Sequence, residues 1–172
     1  LLKLYDGIDK KKLQENMKYW LEAIMPICDE YDINMCVHPD DPPYPVFGLP
    51  RIIGRAEDIQ WMLDAVPNKH NGLTFCAGSF SAGEHNDCVA MAKQFADRTH
   101  FVHLRSCYIF PNGNFTEASH LGGRGHLIEL CRIFEKAEQE GKCNSGRRLP
   151  MRVDHGMTFT DEPGGVFDES NH

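Results

Sequence analysis

Three side chains able to do chemistry crowd the stretch Leu149-Pro150-Met151-Arg152-Val153-Asp154-His155-Gly156: a guanidinium, a carboxylate and an imidazole. Period-two alternation predicts a strand with Leu149, Met151 and Val153 on one face and Arg152 and Asp154 on the other. His155 follows, and Gly156 lets the chain turn sharply. An arginine and an aspartate on one face of a buried strand are costly unless something pairs with them. A metal ion and an anionic substrate would do so. An Arg–Asp ion pair at the strand end is the plainer alternative.

Related patterns recur upstream. Ile33–His38 alternates as a strand, with Ile33, Met35 and Val37 opposite Asn34, Cys36 and His38. Gly72–Cys76 sets Leu73 and Phe75 against Thr74 and Cys76, and His100–Arg105 sets Phe101, His103 and Arg105 against Val102 and Leu104. Each strand closes on a polar side chain, and the four are in phase: His38, Cys76, His103 and Asp154. Two imidazoles, a thiolate and a carboxylate at one end of a sheet form a competent divalent-metal site. Singly, each has a structural reading. A lone cysteine is usually a small core residue, a strand-end histidine a hydrogen-bonding group, and an aspartate before a turn a local cap. Their coincidence on one face is what favours a metal. Arg105 and Arg152 share the ligand faces of their strands. They either balance the ligands' charge or grip a substrate carboxylate with a bidentate fork.

Helices must carry these strands. Asp9 is a candidate N-cap for a helix from Lys10 to Tyr31, with Pro26 able to kink or interrupt it. Shorter helices are expected over Ala56–Ala65, Asn86–Ala96 and His126–Gln139, the last stopped by Gly141. Pro39-Asp40-Asp41-Pro42-Pro43-Tyr44-Pro45 opens a stiff loop reaching Arg55. Ala77-Gly78-Ser79 reads as a turn, and Ser106–Gly125 as irregular, with a turn at Pro111-Asn112-Gly113. Strand–helix alternation predicts a parallel α/β sheet with crossover helices. Such a sheet delivers every strand's carboxyl end to one side, which in a barrel carries the active site. His70, His85, His100, His120, His126 and His172 fall in loops, caps or outward strand faces and are expected to be solvated or capping. Glu117 and His120 could line the same cleft, but a surface loop is the favoured expectation for them.

At 172 residues, 41% hydrophobic and 25% charged, the chain suits one domain with a real core. No apolar run is long enough to span a membrane. A net charge of -7 argues against a general nucleic-acid binder. Seven scattered cysteines without a C-x-x-C pair indicate a reduced, cytoplasmic protein. The first residue is Leu1 and no signal-peptide core follows, so the chain is expected to be cut from something longer. Residues 157–172 are expected to form a loose or truncated tail.

Five stretches resemble the mannonate dehydratase family: Val37-His38-Pro39-Asp40-Asp41-Pro42-Pro43, Phe47-Gly48-Leu49-Pro50-Arg51-Ile52, Asn71-Gly72-Leu73-Thr74-Phe75-Cys76-Ala77-Gly78-Ser79-Phe80, Phe101-Val102-His103-Leu104-Arg105 and Pro150-Met151-Arg152-Val153-Asp154-His155-Gly156. The resemblance implies a xylose-isomerase-like (β/α)8 TIM barrel, of which residues 1–172 supply about half as four strand–helix units. It implies dehydration of D-mannonate to 2-keto-3-deoxy-D-gluconate and water in hexuronate catabolism. It also implies His38, Cys76, His103 and Asp154 as ligands of Mn2+. Two departures stand out. His120-Leu121-Gly122-Gly123-Arg124-Gly125 lacks the acidic residues expected after its His-Leu pair, and a Gly-Tyr segment is missing after Asp154-His155-Gly156. Four strands do not close an eight-stranded barrel.

Removing water across C2–C3 of a sugar acid needs a proton taken from beside a carboxylate, a cation to hold the resulting charge, and an acid for the departing hydroxyl. His155 is the titratable candidate, as base or acid, although alternation points it away from Asp154 unless the following turn re-aims it. Ligand softness alone favours zinc or iron(II), so Fe2+ and Zn2+ stand beside manganese. The rival functions are a metal-dependent sugar isomerase or epimerase on the same fold and a truncated, non-catalytic metal-binding module. A sugar acid is the expected partner, with neither nucleic acid nor membrane; a homodimer is left open.

Overall fold

A computed structural model describes residues 2–155. The expected tail over 157–172 and the turn at Gly156 lie outside the described residues. Four parallel strands form one sheet in the order β1-β2-β3-β6: β1 (Met35–Val37), β2 (Asn71–Cys76), β3 (Thr99–His103) and β6 (Met151–Arg152). Helices α1 (Lys10–Tyr31), α2 (Ala56–Ala65), α3 (Ala77–Ser81), α4 (Cys88–Phe95) and α5 (Leu127–Gln139) lie between or before them. A two-stranded antiparallel ribbon, β4 (Cys107–Ile109) and β5 (Phe115–Glu117), is inserted between β3 and α5. The expected parallel α/β sheet is present, and among the described residues no helix is long and apolar enough to cross a membrane.

Local chemistry explains the helices. Asp9 caps α1, its carboxylate accepting from the Lys12 amide at 2.8 Å, and Asp87 caps α4 through the Val89 and Ala90 amides at 3.0 Å each. The α1 helix runs unbroken through Pro26. Gly141 (φ +64°) stops α5, and the Lys142 amide reaches back to the Ala137 carbonyl at 2.9 Å. Leu73, Phe75 and Val102 of the sheet join Leu21, Met25, Ile59, Met62, Leu130 and Phe134 of the helices in a single buried cluster. Phe75 lies 5.2 Å from both Phe80 and Phe134, centroid to centroid. Every residue of β2 is buried, as befits a strand paired on both sides and covered by helices.

Three expectations are corrected. The Leu149 strand is short and exposed: only Met151 and Arg152 are in register with β3, and Val153 is 53% exposed. Among the described residues β6 pairs on one side only, so alternation gave its faces without giving burial. Ala77-Gly78-Ser79 opens a short helix, α3, rather than a plain turn. The irregular Ser106–Gly125 segment holds the β4–β5 ribbon, because β-favouring Tyr108, Ile109, Phe115 and Thr116 flank the Pro111-Asn112-Gly113 turn.

Candidate metal centre

The carboxyl ends of the strands converge as alternation suggested. His38 follows β1, Cys76 and His103 end β2 and β3, and Asp154 lies just past β6. One donor atom each from His38, Cys76 and His103 lies within 4.8 Å of the others. His38 Nε2 is 3.3 Å from His103 Nδ1, His103 Nδ1 is 3.5 Å from Asp154 Oδ1, and Cys76 Sγ is 4.0 Å from Asp154 Oδ2.

The donor set fits a divalent ion. Metal–ligand bonds of about 2.0–2.3 Å put neighbouring ligand atoms roughly 3–4 Å apart. The three distances above fall in that range, with His38, Cys76 and His103 forming the mutual cluster and Asp154 adjoining it through His103 and Cys76. The tautomer is right as well. The Pro39 carbonyl can only accept, so His38 Nδ1–H donates to it at 2.7 Å and a neutral ring leaves Nε2 as a bare lone pair facing the site. The Cys76 sulfur raises the His38 pKa by hydrogen bonding, against the opposing effect of burial. His103 is shifted down, first by burial, although Asp154 pulls the other way.

Around these donors runs a closed chain of polar contacts. Cys76 Sγ is 3.2 Å from the Ser79 hydroxyl, which is 3.2 Å from Asp41 Oδ2. Asp41 pairs with the Arg105 guanidinium, and Arg105 Nε and Nη2 fork onto Glu117 at 2.9 and 2.5 Å. Glu117 Oε1 is 3.6 Å from His155 Nδ1, and His155 Nε2 is 3.6 Å from Asp154 Oδ2.

Each link has a local cause. Asp40 accepts from the Ile52 and Ile53 amides at 2.8 Å each, and this pins the proline-rich loop that carries Asp41. Arg105 lies flat across Gly78, where an added Cβ would sit 2.3 Å from its Cγ and Cδ. The ribbon register sets Glu117 opposite Cys107, two residues beyond Arg105. Asp154 adopts φ +69°, a left-handed conformation that aspartate tolerates, and this turns His155 back toward the cleft against simple alternation.

The two arginines differ. Arg105 is 4% exposed, and its guanidinium is held by Asp41 and Glu117. Burial disfavours its charge, but the hydrogen bonds it donates to Glu117 and Asp41 outweigh that and raise its pKa. The Arg152 side chain is 57% exposed and reaches Asp154 only at its edge, with Nη2 3.0 Å from the carbonyl and 3.4 Å from Oδ1.

Sequence reasoning gives no role to Asp41 or Ser79, and for Glu117 it favours a surface loop over the cleft where the residue lies. The Phe-Thr-Glu end of a hairpin around Pro-Asn-Gly was the signal available for Glu117. Two other histidines are corrected too: His70 and His100 are 1% and 4% exposed, not solvated.

Residues 1–168 match the family model described as D-mannonate dehydratase (UxuA). The chain belongs to that family. It is 40% identical over 164 residues to "Mannonate dehydratase 2" of Agrobacterium fabrum, covering 94% of this chain and 41% of the relative. It is 39% identical over 159 residues to "Mannonate dehydratase" of Chromohalobacter salexigens, covering 92% of this chain and 41% of the relative. The crystal structure of mannonate dehydratase from Streptococcus suis serotype 2 superposes with a TM-score of 0.76 at 32% identity, covering 87% of this chain and 41% of that one. The chain thus spans about two-fifths of the length of the relatives it matches.

Proposed function

We propose that this chain carries the metal-binding half of a (β/α)8 barrel that dehydrates D-mannonate to 2-keto-3-deoxy-D-gluconate and water. The observation that carries the reading is the convergence of four donor groups, two imidazoles, a thiol and a carboxylate, on the carboxyl ends of four parallel strands, in a chain of this family. His38 Nε2, Cys76 Sγ, His103 Nδ1 and an Asp154 carboxylate oxygen would hold one divalent ion. The family resemblance favours Mn2+ over the Fe2+ or Zn2+ that the thiolate alone would suggest. When bound, the ion supplies Lewis-acid stabilisation for charge developing on the substrate carboxylate as the C2 proton leaves.

The chain's own residues supply the rest. Arg152, with its exposed guanidinium beside the ligand Asp154, takes the substrate carboxylate. Arg105 offsets part of the charge of Asp41 and Glu117 and keeps both oriented; its own donors face those carboxylates rather than a ligand. His155, 57% exposed and flanked by Asp154 and Glu117, is placed to move a proton at C2 or at the C3 hydroxyl.

The test is product analysis on the intact protein loaded with Mn2+ and given D-mannonate. A 2-keto-3-deoxy acid formed with stoichiometric loss of water supports the reading. An isomeric sugar acid retaining all its oxygens would point instead to an isomerase or epimerase.

A further inference from the structure

Two serines of α3 use their hydroxyls differently. Ser81 Oγ donates to the Gly78 carbonyl at 3.1 Å, the ordinary local bond of a buried helical serine. Ser79, 0% exposed, makes no such bond among the described residues. Its hydroxyl has two partners, Cys76 Sγ and Asp41 Oδ2, each at 3.2 Å. A hydroxyl has one proton to give. An O···O separation of 3.2 Å is long beside the usual ~2.7–2.8 Å of an O–H···O bond, whereas 3.2 Å is a close approach for the larger sulfur; this geometry assigns the Ser79 proton to Cys76, while Asp41 Oδ2 accepts from the Arg105 guanidinium.

We propose that Ser79 is a positioning residue for the Cys76 ligand: its hydroxyl donates to the sulfur, fixes the direction of the sulfur lone pairs and draws charge from them. This rests on the metal-site reading above. A buried hydroxyl spent on a side chain in place of its own helix ties α3 to the site. It also sets the thiolate's position relative to Asp41 and Arg105. Hydrogen-bond partners of metal ligands of this kind change metal affinity by about 10–100-fold when removed.

The experiment loads the intact, metal-free protein with Co2+, whose thiolate charge-transfer absorption reports the sulfur directly. Ser79→Ala should bind Co2+ about 10–100-fold more weakly, with the band moved to longer wavelength because the sulfur has lost a donor. Ser79→Thr, which keeps the hydroxyl, should hold the band in place. Circular dichroism of the metal-free forms checks that both variants fold; if Ser79→Ala does not, a band shifted in Ser79→Thr overturns the proposal. So does an unchanged band and affinity in a folded Ser79→Ala. Cys76→Ala, run alongside, separates the two readings. If it abolishes the band, the site reading stands whatever Ser79 does; if the band survives, the site reading itself fails.

Discussion

The two ends of the sheet use the same residue types to opposite effect. At the amino end, histidine and asparagine satisfy one another. His70 Nδ1 meets Asn34 Oδ1 at 2.7 Å, Asn34 Nδ2 donates to Asn144 Oδ1 at 2.7 Å, and His100 Nδ1–H donates to the Met35 carbonyl at 2.8 Å. Each contact pairs a donor with an acceptor, so burial is tolerated and the network fastens the start of β1 and β2 to the Asn144 segment. At the carboxyl end, the groups gathered are those that ligate metals. Two imidazole nitrogens stand 3.3 Å apart beside a carboxylate and a sulfur. The first set of contacts closes on itself, with Asn71 Oδ1 and Arg98 Nε left over nearby; the second is a set of donors suited to a cation.

Substitutions at the two ends should therefore separate stability from chemistry. The largest effect is expected at His155. His155→Asn keeps approximate size but cannot shuttle a proton near neutrality, so turnover of the intact protein should fall roughly 10²–10⁴-fold with bound metal unchanged. Assaying metal content beside kcat checks this, and loss of both together would make His155 a ligand. At the opposite end, His70→Ala should leave metal affinity alone and lower unfolding free energy by about 1–3 kcal/mol, because it strands buried polar partners. Denaturant melts with and without metal read both quantities. Arg152→Lys should chiefly raise KM, since a point charge keeps attraction but loses the fork.

The smallest effect concerns pH. Burial holds the His100 pKa below its ordinary value of about 6.5. The unfolded chain therefore takes up the proton first as pH falls. The contribution of this residue to stability is complete above about pH 6.5 and is lost progressively below it, until the folded form is protonated as well. His100→Asn should remove that share of the slope. Melts at several pH values on both proteins would show it.

What could be read in advance followed from periodicity. Alternation placed His38, Cys76 and His103 on one face, and Asp9, Gly141 and the helical runs marked α1 and α5. What could not be read arose from contacts distant in sequence. Asp41 meets Arg105 across 64 residues and Ser79 across 38, and no local pattern announces such pairs. His70 and His100 look like loop and surface histidines until the Asn34 side chain and the Met35 carbonyl are brought to them. Alternation points His155 away from Asp154 unless a turn re-aims it, and the left-handed Asp154 breaks the period before Gly156 is reached. The exposure of β6 goes with its having one neighbour among the described residues, which faces alone do not reveal.

The claim that the carboxyl end of the sheet holds one cation is tested most directly by calorimetric titration of Mn2+ into the intact, metal-free protein and its His103→Ala variant. The account predicts one ion per chain for the parent. For the variant it predicts binding lost or weakened by orders of magnitude, with unfolding of the metal-free forms little changed. Equal stoichiometry and affinity in both proteins would contradict it.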